Sequence, residues 1–299
     1  MNIHIVTDSC AHGQLPSNVT VVPNTITVQG KSYREGVDLS PEDALRLFSH
    51  QAYAPLIHVP TQAEYLEVYD RLANDYDAII SIHASREILT SWQNARAAQQ
   101  QIMGRVNIEL IDSKTISVGQ GMLVRLAARS LAEGEPLDEV VRILRGAVDR
   151  IYSVYYVEAT DFLMQNRIMT PSHSILGMML NLKPVLTVEE GRLVPMEKVR
   201  TRIQAIERLV EFAVEFTEVD DAMIVQHRPG ITDQTRMLND RLAAEFPDRR
   251  FPSALYGASL AALIGADATG LVILESEESD SDSDNDGNDS DSNGDNDDS

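Results

Sequence analysis

The stretch Ile3-His4-Ile5-Val6-Thr7-Asp8-Ser9-Cys10 sets the fold class. A short apolar, β-branched run is cut off by an acid and a hydroxyl. That pattern predicts a buried strand ending in a polar loop. Segments with the same design recur along the first half of the chain. Ala78 to Ile82 is a strand followed by His83-Ala84-Ser85, and Asn107 to Ile111 is a strand followed by Asp112-Ser113-Lys114.

Helical patterns separate these strands. Ser40-Pro41-Glu42-Asp43 is a helix start, with a capping hydroxyl, proline at the first position and acids in the first turn. Thr61-Gln62-Ala63-Glu64 is a capping box that opens a second helix. Further helices are predicted at about Thr90 to Met103, Val118 to Glu133 and Leu137 to Val148, with a strand at Ile151 to Val157. The alternation argues an α/β class: a parallel sheet with helices on its faces over residues 1–157.

Beyond Glu158 the rhythm changes. Asp161 to Arg167 and Pro171 to Leu180 read as helices, and Pro184 to Pro195 as a hairpin around Glu190-Gly191. A helix at Arg200 to Thr217, a strand at Ala222 to Gln226 and a helix near Thr232 to Glu245 follow. Apolar runs at Leu260 to Ile264 and Leu271 to Leu274 complete an α+β domain over residues 158–274. Residues 275–299 form a low-complexity tail with 12 acids and no Lys or Arg. It has no apolar surface to offset its ordering entropy and is expected to be disordered.

Composition excludes several function classes. The chain has 299 residues and a formal net charge of -21; without the tail, 34 acids stand against 25 bases. No basic stripe argues for nucleic-acid binding. The single cysteine, Cys10, cannot form an internal disulfide, which fits a reducing compartment. No apolar run reaches the roughly 20 residues of a membrane span. With no basic signal region at the start, a cytoplasmic location is expected.

The three polar loops at strand ends nominate a shared ligand face: Asp8, Ser9, Ser85, Asp112 and Ser113. Ligands of open α/β sheets sit beyond the carboxyl ends of the strands. The plainer reading of any one loop is a turn or a cap. Ser117-Val118-Gly119-Gln120-Gly121 could admit an anion at a helix start, but close helix-sheet packing at the glycines is the simpler account. A serine hydrolase or acyltransferase can be drawn from Ser9, Ser85 or Ser113 with His83 and Asp112, although no nucleophile elbow is present. No metal signature appears in the body. The tail carries half of a calcium-loop pattern, Asp282 to Gly287, but Asn293 stands where the bidentate acid belongs. The tail could instead recruit basic partners.

Taken in order, several short motifs resemble the DegV family. They are Ile5-Val-Thr-Asp-Ser9, Val21-Val-Pro23, Gly30-Lys-Ser-Tyr33 through Gly36-Val-Asp38, and Ile111-Asp-Ser-Lys114 with Ser117, Gly119 and Gly121. Leu182-Lys-Pro-Val185, Gly191 and Lys198-Val-Arg-Thr201 continue the series. The resemblance implies a two-domain protein without cofactor or catalytic role that holds a long-chain fatty acid or other acyl lipid between its domains. It also implies that some members present that lipid to a separate kinase.

The departures fall at the head group. Where the family has Thr-Ser-x-Pro, this chain has Ile57-His58-Val59-Pro60, preceded by Leu56. Where the family has Leu-Ser-Gly-Thr, it has Ile88-Leu89-Thr90-Ser91. Two hydroxyl positions have become apolar, while Ser91 keeps one. The family's Gly-Gly-Arg-Ile survives only as Asn166-Arg167-Ile168, and its His-containing motif is replaced by Leu263 to Gly270. His58 and Arg167 remain as donors. Either this head-group site has drifted, or it takes a different amphiphile.

Overall fold

The computed structural model describes residues 1–170 and 182–277. The helix expected at Pro171 to Leu180 and the tail from Glu278 onward lie outside the described residues.

The first lobe is built on a four-stranded parallel sheet. Its strands are β1 (Ile3–Asp8), β2 (Val19–Val22), β6 (Ala78–His83) and β7 (Asn107–Asp112), in the order β2-β1-β6-β7. Successive side chains alternate between faces. Val6 and Ile79 meet Tyr65, Tyr69, Ala95 and Ala98 from α2 (Gln62–Leu72) and α3 (Ser91–Gln101). Ile5, Ile80 and Ile82 face α4 (Val118–Ala132), which is backed by α5 (Leu137–Val148). All six residues of β6 are buried, as a central strand covered on both faces requires. The predicted capping box is present: Thr61 Oγ1 accepts from the Glu64 N–H, and the Glu64 carboxylate accepts from the Thr61 N–H.

A small antiparallel sheet flanks this lobe, in the order β4-β3-β5, from β3 (Thr25–Val28), β4 (Lys31–Arg34) and β5 (Leu56–His58). Gln29 and Gly30, at φ +50° and +79°, make the two-residue turn between β3 and β4. Neither β4 nor β5 was expected. Lys31-Ser-Tyr-Arg34 has no apolar alternation, and Leu56-Ile-His58 is too short to show a period. α1 (Pro41–Phe48) lies between them in sequence.

The second lobe holds a six-stranded mixed sheet, in the order β10-β9-β8-β13-β11-β12. These strands are β8 (Ile151–Val157), β9 (Lys183–Glu189), β10 (Arg192–Val199), β11 (Val219–Gln226), β12 (Ser253–Leu255) and β13 (Ala268–Glu275). Here the structure corrects a sequence expectation. β8 does not extend the parallel sheet; it runs antiparallel to β9 and β13. Its two faces serve two cores. Val154 and Tyr156 meet α7 (Arg202–Val214) and α8 (Asp233–Glu245), whereas Tyr155 and Val157 join the core shared with the first lobe. Pairing with β13 along the whole strand satisfies its ladder in a way the edge of β7 would not.

α4 sits between the two sheets and touches β1 and β6 on one side and β8, β11 and β13 on the other. A helix apolar almost all round belongs in such a place. α6 (Asp161–Gln165) and α9 (Ala258–Ile264) complete the shared core beside α1 and β5.

Candidate functional site

The strand-end face expected from sequence is a sealed polar knot. Asp8 is fully buried, and its carboxylate accepts four hydrogen bonds. Oδ1 takes the Cys10 N–H at 3.1 Å and Gln120 Nε2 at 3.2 Å; Oδ2 takes His83 Nδ1 at 3.1 Å and the Ala84 N–H at 3.2 Å. Burial by itself would raise the carboxyl. The bonds from His83, Gln120 and Ala84 outweigh it and hold Asp8 below the usual carboxylate range. His83 Nε2 lies 2.8 Å from Ser81 Oγ, which lies 2.8 Å from the Tyr69 hydroxyl. Asp8, His83 and Ser81 thus have the connectivity of a catalytic triad. All three are at zero exposure, and Ser81 is mid-strand, so no substrate can reach its hydroxyl.

The other expected loop residues are individually committed. Ser9 Oγ donates to Glu35 Oε2 at 2.9 Å, Ser85 Oγ to the Gly191 carbonyl at 2.7 Å, and Ser113 Oγ to the Thr115 carbonyl at 3.0 Å. Asp112 caps its own loop by accepting from the Arg86 and Lys114 N–H groups, and it pairs with the Arg86 guanidinium at 3.2 Å. None of these serines is bonded to His83, and Asp112 does not orient it. Ser117 is buried with its backbone at φ +62°, and its carbonyl anchors His12. A Cβ on Gly119 would stand 2.8 Å from Thr115 Oγ1, so that glycine serves close packing.

Most of the positions expected at the head group lie elsewhere, at the first turn of α3 and the end of β5. Asn94 Nδ2 donates to the Pro60 carbonyl at 2.8 Å and ties the two segments together. Ile57 and Leu89 both pack on the shared core. Leu56 and His58 point outward from the small sheet and are exposed. The α3 N-terminus has no side-chain cap, because Thr90 does not bond back to the helix. Ser91 Oγ is buried there against the Tyr65 phenol. The Trp92 indole N–H is buried and unpartnered, and its ring is flanked by Arg86 and Arg96. Arg167 is exposed just after α6, at φ +58°. Its neighbour Asn166 bonds across to the Ala262 and Leu263 carbonyls of α9.

The sequence matches the family described as uncharacterised protein, DegV family, over residues 2–276. The chain belongs to the DegV family. A DegV domain-containing protein of Caldanaerobacter subterraneus is 31% identical over 286 residues, covering 91% of this chain and 99% of that protein. Two solved DegV structures share the fold at 26% identity. The fatty acid binding DegV family protein of Streptococcus agalactiae superposes with a TM-score of 0.82, covering 93% of this chain and all of that one. The DegV family protein of Thermus thermophilus, described by its fatty acid binding, gives 0.81 and covers 92% of this chain and all of that one.

Within this DegV chain, sequence reasoning missed one group of polar residues. Asn24, Glu35 and Ser259 are buried together with Ser9, beside a half-buried His12, bridging the lobes across more than 200 residues of chain. A local pattern carries no signal for such a cluster. Only Glu35, an acid beside Gly36 in the turn after β4, could have prompted the question. Among the described residues, no group of three or more His, Cys, Asp or Glu could hold a metal ion, and no helix is long and apolar enough to cross a membrane.

Proposed function

We propose that this DegV protein is a non-catalytic carrier that holds a fatty acid or related acyl amphiphile between its two lobes. The observation that carries the reading is the start of α3, which has no side-chain cap and where the buried Ser91 hydroxyl stands beside the first-turn N–H groups. A hydroxyl both donates and accepts, so Ser91 can bond a head-group oxygen as well as the neighbouring Tyr65 phenol. The free N–H groups of the α3 first turn favour an oxygen-bearing or anionic head group. The family's fatty-acid-binding members make an acyl lipid the natural occupant.

Ile57 and Leu89 give this head-group site fewer hydroxyls than the family pattern. Ser91 and Thr90, with His58 and Arg167 at the rim, are the polar groups left to recognise the lipid. In the strand-end face the side chains of Asp8, Ser9, Ser85, Asp112 and Ser113 have their hydrogen bonds already spent on the protein, while Ser117 and Gly119 serve the packed start of α4. A hydrolase or acyltransferase mechanism lacks an accessible nucleophile there. The lobes divide ahead of Ile151, since β8 pairs wholly within the second sheet. A cytoplasmic protein of this kind would hand its lipid to a partner, a lipid kinase in the form the family resemblance implies.

Ser91→Ala tests the assignment. Loss of one buried hydrogen bond of about 1.4 kcal/mol weakens binding about tenfold. Titration with a fluorescent fatty acid should show that loss with no change in the melting temperature beyond a degree or two. Equal affinity in the variant would remove Ser91 from the site.

A further inference from the structure

One side chain ties the two lobes together at α9, a helix packed against elements of both. Glu35 follows β4 of the first lobe and is 2% exposed. Its Oε1 accepts from the Ser259 N–H at 2.8 Å. Its Oε2 accepts from the hydroxyls of Ser259 at 2.5 Å and Ser9 at 2.9 Å, and from Asn24 Nδ2 at 3.3 Å. Ser259 lies in the first turn of α9, in the second lobe. The N-cap of α9 is Gly257, which has no side chain to offer. The Glu35 carboxylate therefore supplies the missing cap from the opposite lobe.

His12 completes the contact. Its Nε2 stands 3.7 Å from Glu35 Oε1. The ring fills the space a side chain at residue 257 would need, because a Cβ there would lie 1.7 Å from Nε2. A groove of about 400 Å³ opens above these residues, between Leu15 and Val37. Glu35 already accepts four hydrogen bonds from the protein, and its side chain is turned into the contact and not toward that groove's opening. A carboxylate this buried is tolerated because donors surround it on both oxygens. The arrangement is a tie and not a vacant binding site.

α9 transmits that tie. It packs on α1 and β5 of the first lobe and on α6 of the second. Its end, Ile264 and Gly265, lines a cleft of about 280 Å³ together with Phe48 and Phe162. We propose that Glu35 is a positioning residue for the lipid site: by capping α9 across the lobe boundary, it sets how tightly the lobes close on the acyl ligand. The inference rests on the carrier reading. Parting the lobes to release a lipid breaks the Glu35–Ser259 bonds first.

The test compares Glu35→Gln with Leu242→Ala, a core substitution in α8 on the far face of the second sheet. Two readouts are taken well below the melting temperature: dissociation of cis-parinaric acid by stopped flow, and hydrogen exchange of the amides of residues 259–264. Glu35→Gln keeps the side-chain shape and loses the charge-assisted bonds. It should speed lipid release about tenfold and speed exchange across α9. Leu242→Ala should lower the melting temperature and leave both readouts unchanged. Unchanged release and exchange in Glu35→Gln, or equal effects from Leu242→Ala, would overturn the proposal. If the wild-type protein takes up no fatty acid, the carrier reading falls, and exchange at α9 alone decides the tie.

Discussion

Asp8→Ala is expected to lower stability by about 3–5 kcal/mol, the usual cost of removing one member of a buried, bonded pair. The reasons are local. Four donors converge on the carboxylate, and all lie beyond the reach of water. Alanine leaves the Cys10 and Ala84 N–H groups unpaired in the centre of the first lobe and takes from His83 Nδ1 its carboxylate partner, while Gln120 keeps its bond to Thr7. Denaturant unfolding at neutral pH measures the loss. Asp8→Asn keeps the shape but places an NH2 where only acceptors are wanted, so it should also destabilise, by a smaller amount.

The Asn variant also reports the ionisation of Asp8. The folded carboxyl titrates below its unfolded value. Its contribution is therefore complete above the unfolded value of about 3.9 and is lost as pH falls through the folded one. The stability gap between wild type and Asp8→Asn should be constant from neutrality to about pH 5 and narrow below about pH 4. A gap that widened in acid would mean that Asp8 is protonated in the folded protein.

The second large effect concerns Gly121. A Cβ at this position would stand 1.8 Å from the His12 carbonyl oxygen. That oxygen is backbone, in a segment held by the bond from the His12 N–H to the Ser117 carbonyl at 3.0 Å. The clash cannot be relieved by a rotamer change, and α4 is gripped between both sheets. Gly121→Ala should cost about 3 kcal/mol or more, the upper range for overpacking. Gly146→Ala in α5 is the matched control. A Cβ there meets nothing within 4 Å, so the better helix former should add about 0.5–1 kcal/mol. Thermal melts of the two variants should move in opposite directions.

What the sequence disclosed follows from range. The parallel sheet was readable because each strand is a buried apolar run with a polar stop, and the capping box at Thr61 is a contiguous four-residue signal. The placement of β8 was not readable. An apolar strand after a helix looks the same whether its partners lie before or after it, and here the partner β13 is more than 100 residues away. β4 and β5 were too polar or too short to show a period. For the site, family motifs nominated two segments for the head group, and the Asn94 bond to Pro60 brings those segments together in the fold. The strand-end residues looked like a reactive face. Only their hydrogen bonds revealed a closed knot, since reach and burial are properties of the packed chain. Glu35 and Ser259 lie 224 residues apart, and nothing local announces that contact.

The central claim is that an acyl lipid occupies the space between the lobes. Native mass spectrometry of the full chain, purified without detergent, addresses it directly, with organic extraction to identify any adduct. The account predicts a single adduct of fatty-acid or acyl-amphiphile mass, retained by wild type and diminished in Ser91→Ala. A protein at its bare sequence mass, which also fails to take up added long-chain fatty acids, would contradict it.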